Sequence, residues 1–136
     1  MIHRITVVDK DRGEIELSNR LQVETTVLRF IELINSDDVS GLPLADQVEL
    51  HGPLTPEPVR GEAEVRDHLQ QIAPFILNAN TQKVIIEGNS AAVLADIESV
   101  NGVHLEEAFF LEVEDGKIRE VRTVFDSRPL FAGRKD

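Results

Sequence analysis

Residues 101–126 read NGVHLEEAFFLEVEDGKIREVRTVFD, two strand-like runs separated by Asp115-Gly116 and opened by Asn101-Gly102. Both dipeptides suit tight hairpin turns, in which a central residue must take positive φ. Between them, Val103, Leu105, Glu107, Phe109, Leu111 and Val113 share one face by the two-residue period of a strand. His104, Glu106, Ala108, Phe110, Glu112 and Glu114 share the other. Glu107 is the only charged residue of the apolar row. A carboxyl among side chains that avoid water sits at a rim, is held by a partner, or is kept for chemistry with a raised pKa.

Working outward, Lys117–Phe125 continues the second hairpin, while Lys83–Glu87 and Ala91–Val100 precede the first, so four strands follow one another as a meander. Before them, Val65, His68, Leu69 and Ile72 recur at helical spacing between Gly61 and Pro74. Val48 and Leu50 mark a short strand that stops at Gly52-Pro53, and prolines 53, 56 and 58 make the next segment an extended loop. Asn19, with Gln22 as reciprocal partner, suits the cap of a helix carrying Val23, Val27, Phe30, Ile31 and Ile34 inward and ending near residues 35–38. Ile2–Val8 and Glu14–Leu17 alternate across Asp9–Gly13 and predict a short N-terminal hairpin. Helices followed by a meander define an α+β fold: an antiparallel sheet with helices on one side.

The chain has 136 residues, enough for one domain that buries about two-thirds of its unfolded surface. Its 25 acidic and 14 basic residues give a formal charge of −11, which repels phosphate backbones and anionic bilayers, so neither nucleic acid nor a membrane is expected as partner. The absence of cysteine excludes thiolate chemistry and cysteine metal sites. His3, His51, His68 and His104 show no paired ligand spacing, so no metal and no cofactor is expected. No long apolar run appears at the N-terminus or elsewhere, and a cytoplasmic location is the expectation.

Arg29-Phe30-Ile31 followed by Asn35-Ser36-Asp37-Asp38, Pro53 through Glu57-Pro58-Val59-Arg60-Gly61, and Asp115-Gly116-Lys117-Ile118 with Val124-Phe125-Asp126 occur in an informative order. In that order the chain resembles the ketosteroid isomerases and SnoaL-like polyketide cyclases of the nuclear transport factor 2 superfamily, over roughly residues 18–130. The resemblance implies a single domain over 1–136 whose curved sheet forms a cone, with helices packed on its concave side. It implies a pocket lined by Phe30, Val93, Ala95, Ile97, Phe109, Val121, Thr123 and Phe125. In the isomerases a helix tyrosine and a protonated aspartic acid stabilise the oxyanion while a second aspartate moves the proton. Matched to this sequence, the tyrosine position is Phe30, the proton-moving position is Gly52, and only the acid survives, as Glu107. Steroid isomerisation by that set is therefore not implied.

Three residues remain as candidates for catalysis. Glu107 is either a desolvated acid able to exchange a proton with a ligand or the partner of an arginine such as Arg60 or Arg122. His68 lies on the inner face of the second helix, where it either relays a proton or packs with one nitrogen on the backbone. His51 adjoins Gly52; alternation turns it away from the pocket, and a bulge before Pro53 would turn it in.

The expected ligand is a small, mostly uncharged organic molecule, with general acid–base chemistry on a carbonyl or enol, against the alternative of a non-catalytic binding or dimerisation module. On the outer side of the strands Ala92, Leu94, Val100, Ala108, Phe110 and Val124 are too apolar for a solvated face. They predict a homodimer through it, unless Pro129–Phe131 folds back over the same surface.

Overall fold

A computed structural model describes residues 10–36 and 38–131, with side chains from residue 19 onward. Helix α1 spans Lys10–Asn35, a short 3₁₀ turn follows at Val39–Gly41, and strands β1 (Leu44–His51) and β2 (Val59–Arg60) precede helix α2 (Glu62–Ile72). After a second 3₁₀ turn come β3 (Ile76–Glu87), β4 (Ser90–Ser99), β5 (His104–Glu114) and β6 (Lys117–Phe125), then the short helix α3 (Arg128–Phe131).

The six strands form one curved, unclosed sheet in the order β2-β1-β6-β5-β4-β3. The three pairings of the meander and that of β1 with β2 are antiparallel, whereas β1 runs parallel to β6. That parallel pairing brings the ends of β1 and β6 together at the same end of the sheet as the start of β5. Helix α1 lies across β3, β4 and β5, and α2 packs on β1 and β2. Both cover the concave side. Among the described residues no helix is long and apolar enough to cross a membrane.

The burial follows the residue pattern. Val23, Val27, Phe30, Leu33 and Ile34 bury one stripe of α1, and Val65 and Leu69 bury the inner face of α2. They meet Phe109, Leu111 and Val113 of β5 and Val93 of β4 in one core. The Phe30 and Phe109 rings pack edge to face, with centroids 5.4 Å apart.

The turns are of two kinds. At Asp115-Gly116 both residues take positive φ, 51° and 75°, which is the type I′ turn expected. At Asn101-Gly102 only Gly102 does so, at φ 83°. There the Gly102 N–H donates to the Ser99 carbonyl and the Ser99 N–H to the Val103 carbonyl. The result is a three-residue loop with a glycine bulge in place of a two-residue turn.

Two further expectations are corrected. Glu14–Leu17 belongs to α1, not to a hairpin strand, and Asn19 lies within the helix instead of capping it. Extending a formed helix adds one hydrogen bond per residue, and one interior glycine costs only about 1 kcal/mol, so a four-residue alternation does not stop it. The other half of the expected hairpin, residues 2–8, lies outside the described residues. Strand β3 begins at Ile76, well before Lys83, because register shifts between Ile76 and Asn78 and between Thr81 and Lys83 reverse the alternation. Ala79 is buried on one side of the second shift, and Val84 and Ile86 pack on the core beyond it.

Side chains tie the helices to the sheet. Asn35, the last residue of α1, donates to the Ala79 carbonyl (2.8 Å) and accepts from the Ala79 N–H (2.9 Å), capping backbone groups of an edge strand. Arg66 of α2 donates to the carbonyls of Val39 (2.8 Å), Ser40 (3.0 Å) and Leu42 (3.1 Å) and to Glu62 Oε2 (2.9 Å). One guanidinium thus satisfies three carbonyls of the turn after α1. Removing it leaves those acceptors without their charged donor, so urea unfolding of Arg66→Ala is expected to show a loss of about 2–4 kcal/mol. Arg66→Lys should recover little, because an ammonium lacks the planar fork.

Candidate functional site

On the concave face the register places Thr81, Ala95, Glu107 and Phe125 in one row across β3, β4, β5 and β6. The next row holds Val84, Val93, Phe109 and Thr123. Glu107 therefore stands one pair beyond Phe109, on the side of the sheet where β5 begins. It faces inward with Phe109 and Leu111, while Glu106 and Phe110 are exposed on the other face, as the alternation predicts.

Glu107 is half-buried, and among the described residues no donor or cation meets its carboxyl group. The arginines offered by the sequence as partners are engaged elsewhere: Arg60 stands 3.6 Å from Glu49, and Arg122 stands 3.9 Å from Glu120. Burial without compensation pushes the Glu107 carboxyl up to about 7. Near neutrality both of its forms are populated, so the group can donate a proton or accept one.

The surrounding positions divide into two sets. Phe30, Val93 and Val121 are at most 1% exposed and are sealed in the core, so they offer no surface to a ligand in this conformation. Ala95, Ile97 and Phe109 are nearly as buried. Thr123 and Phe125 keep partial exposure. Six of the eight expected pocket positions are thus closed by packing, and only Thr123 and Phe125 keep access. Thr81, which joins the Glu107 row, was not legible in the sequence, since the irregular register of β3 hides its face.

His68 lies half-buried on α2, where burial lowers its pKa against the opposing effect of Asp67. His51 pairs with Arg122 in the register of β1 and β6, on the convex face, and its Nε2 lies 3.4 Å from Glu49 Oε1. The irregularity of β1 falls between Leu44 and Glu49, not before Pro53, so no bulge turns His51 inward. The structure does not bring His51 and Glu107 together on one face.

Gly52 explains the missing base position. A Cβ there would stand 2.5 Å from Thr123 Oγ1, so the threonine side chain occupies the room a side chain at 52 would need. The Gly52 N–H and carbonyl are both engaged by the Thr55 hydroxyl at 3.1 Å, which holds the loop in place. A cleft of about 240 Å³ opens beside them, lined by His51, Gly52, Thr55, Pro56, Pro58, Arg122, Thr123 and Val124. Among the described residues no group of three or more His, Asp or Glu side chains could hold a metal ion.

This geometry agrees with the comparisons. A family model described as a SnoaL-like domain matches residues 27–121, and the chain belongs to that family. No curated protein matches the sequence. Three solved structures illustrate the likeness in fold. An NTF2-like protein of unknown function from Cytophaga hutchinsonii is 22% identical with a TM-score of 0.69, covering 96% of this chain and 99% of its own. A candidate ketosteroid isomerase from Kribbella flavida is 22% identical with a TM-score of 0.68, covering 77% and 78%. An LEH-like epoxide hydrolase from M. tuberculosis is 18% identical with a TM-score of 0.70, covering 83% and 89%. The fold is that of the NTF2-like cones.

The raised pKa of Glu107 has a consequence for stability. Between pH 4.5 and about 7 the folded chain keeps a proton that the unfolded chain has lost, so stability falls as pH rises through this window and levels off above it. The full effect is roughly 3 kcal/mol. Glu107→Gln removes it: the variant should match the wild type near pH 4 and be more stable at pH 8 by up to that amount. Urea unfolding of both proteins across this range checks the expectation, and equal pH dependence would show that Glu107 is not desolvated.

Proposed function

We propose that this SnoaL-like protein binds a small, mostly uncharged organic molecule beside Glu107 and performs general acid–base chemistry on its carbonyl or enol. The observation that carries the reading is an inward, half-buried carboxyl with no cation or hydrogen-bond donor among the described residues and a pKa raised to about 7. A charged ligand would meet a mostly apolar wall, whereas a carbonyl compound gains a donor from the protonated acid or loses an α-proton to the carboxylate. His68, on the same side of the sheet and held toward its neutral form, is the second proton carrier in this reading. His51 has no part in it.

A second reading is favoured by the packing of Phe30 on Phe109, which fills the cone where the isomerases keep a tyrosine hydroxyl. On that reading the protein binds a ligand, or serves as an assembly module, without turning anything over.

Proton NMR of a panel of small cyclic ketones and enones in deuterated buffer separates the two. Catalysis predicts protein-dependent exchange of α-protons that drops about a hundredfold or more in Glu107→Gln. If Glu107 is the base, the exchange rate should fall as pH drops below about 7. Resonance shifts on ligand addition without exchange would favour the binding module, and neither shifts nor exchange across the panel would overturn both.

Turnover of a β,γ-unsaturated ketosteroid is expected to be absent or residual. Phe30 supplies no hydroxyl and Gly52 no base, and each such element is typically worth about a hundredfold or more.

A further inference from the structure

Strand β1 stops at His51, paired with Arg122, whereas β6 runs on to Phe125. The chain leaving β1 folds into a tight loop: the Thr55 N–H and hydroxyl both donate to the Gly52 carbonyl, at 3.2 and 3.1 Å, and the Gly52 N–H donates to the Thr55 hydroxyl. Residues 123–125 therefore have no β1 neighbour. The cleft of about 240 Å³ lies between this end of β6 and the proline-rich loop. Its volume falls just under the roughly 300–1,000 Å³ of drug-sized sites, so it admits a molecule smaller than a drug.

The lining is unlike the rest of the chain in its charge. None of its residues is acidic, although the chain has 25 acidic residues against 14 basic. Arg122 reaches Glu120 only through Nε at 3.9 Å, in an exposed pair that contributes little and leaves the guanidinium free to take another partner. The other nearby acid, Glu49, is already met by Arg60 at 3.6 Å and His51 at 3.4 Å. Gly52 keeps the Thr123 hydroxyl uncovered, since any Cβ there would stand 2.5 Å from Oγ1. Pro56, Pro58 and Val124 supply apolar wall to the same cleft.

We propose that this cleft binds a small monocarboxylic acid with an apolar body, its carboxylate on Arg122 and the Thr123 hydroxyl and its body against Pro56, Pro58 and Val124. A guanidinium presents a planar fork that matches a carboxylate with two parallel hydrogen bonds, and the threonine hydroxyl adds a third donor. The prolines and the valine shield an apolar body from water. Charge selects the class further. A monoanion replaces Glu120 as the partner of Arg122 one for one, whereas a dianion such as phosphate brings a second negative charge beside Glu49 and Glu120. No free backbone donor receives that charge at Gly52, whose N–H is taken by Thr55 at 3.1 Å. A neutral molecule gives Arg122 no new counter-charge. The ligand class differs from the uncharged molecule proposed beside Glu107, and the inference does not rest on that reading.

Proton–nitrogen NMR of the full chain near neutral pH, titrated in turn with benzoate, benzyl alcohol and inorganic phosphate, tests the site. Benzoate should shift the amide resonances of Gly52, Thr55, Thr123 and Val124 saturably, with a dissociation constant of about 1 mM or tighter. Benzyl alcohol, which keeps the ring without the charge, and phosphate, which keeps charge without the ring, should each bind about tenfold more weakly or worse. Arg122→Ala should cost about tenfold or more in benzoate affinity, and Arg122→Lys should recover only part of it, because an ammonium lacks the fork. The Arg122 side chain is 51% exposed, so folding does not depend on it, and the comparison of the three ligands on the wild type decides without any variant. No saturable shift with benzoate, equal affinity for benzyl alcohol or phosphate, or unchanged affinity in folded Arg122→Ala overturns the proposal. Shifts confined to Glu107 and Phe109 overturn it too, since they place the acid inside the cone.

Discussion

The edge-to-face contact of Phe30 with Phe109 is the interaction on which the rest of the structure depends, since it joins the long first helix to the strand at the middle of the sheet. Around it Val27, Val93 and Leu111 are almost wholly buried, so the helix has one depth at which it can sit. Beyond that sealed level the next inward residue along β5 is Glu107, which keeps partial exposure. The helix that closes the core thereby sets how far along β5 the inward side chains are sealed.

Glu107 is held against its own preference for water, and the chain does nothing visible among the described residues to relieve it. Arginines that could have neutralised it are spent on Glu49 and Glu120 on the opposite face. A half-buried acid with no partner departs from the usual agreement between burial and polarity, and such departures concentrate at functional sites. The same fold region shows a compensating economy at Gly52, where Thr123 fills the space of an absent side chain. The acid–base chemistry we propose therefore centres on one carboxyl, unlike the paired acids of the isomerases.

The two faces of β5 serve different ends through the same two-residue period. Its inward row, Phe109, Leu111 and Val113, makes the core. Its outward row sets Phe110 and Ala108 between Glu106 and Glu112, so the strand that carries the candidate acid also presents apolar side chains on the convex face. A slip of one residue in its pairing would exchange the faces and destroy both, which is why the register of β5 with β4 and β6 is so strongly constrained.

The sequence by itself determined the elements whose signals are local: the Asp115-Gly116 turn, the apolar stripe from Val23 to Ile34, and the alternation that turns Glu107 inward. These depend on backbone sterics and on the periods of helix and strand, which need no distant partner. Other features were out of reach. The parallel pairing of β1 with β6, the early start of β3 and the helical course of Glu14–Leu17 depend on contacts between residues far apart in sequence or on register shifts that reverse the alternation. Tertiary structure also sorted the expected pocket residues, sealing Phe30, Val93 and Val121 while leaving Thr123 and Phe125 accessible, and it kept His51 on the convex face. Periodicity assigns a side chain to a face, but only close packing decides whether that face at that level is filled or open.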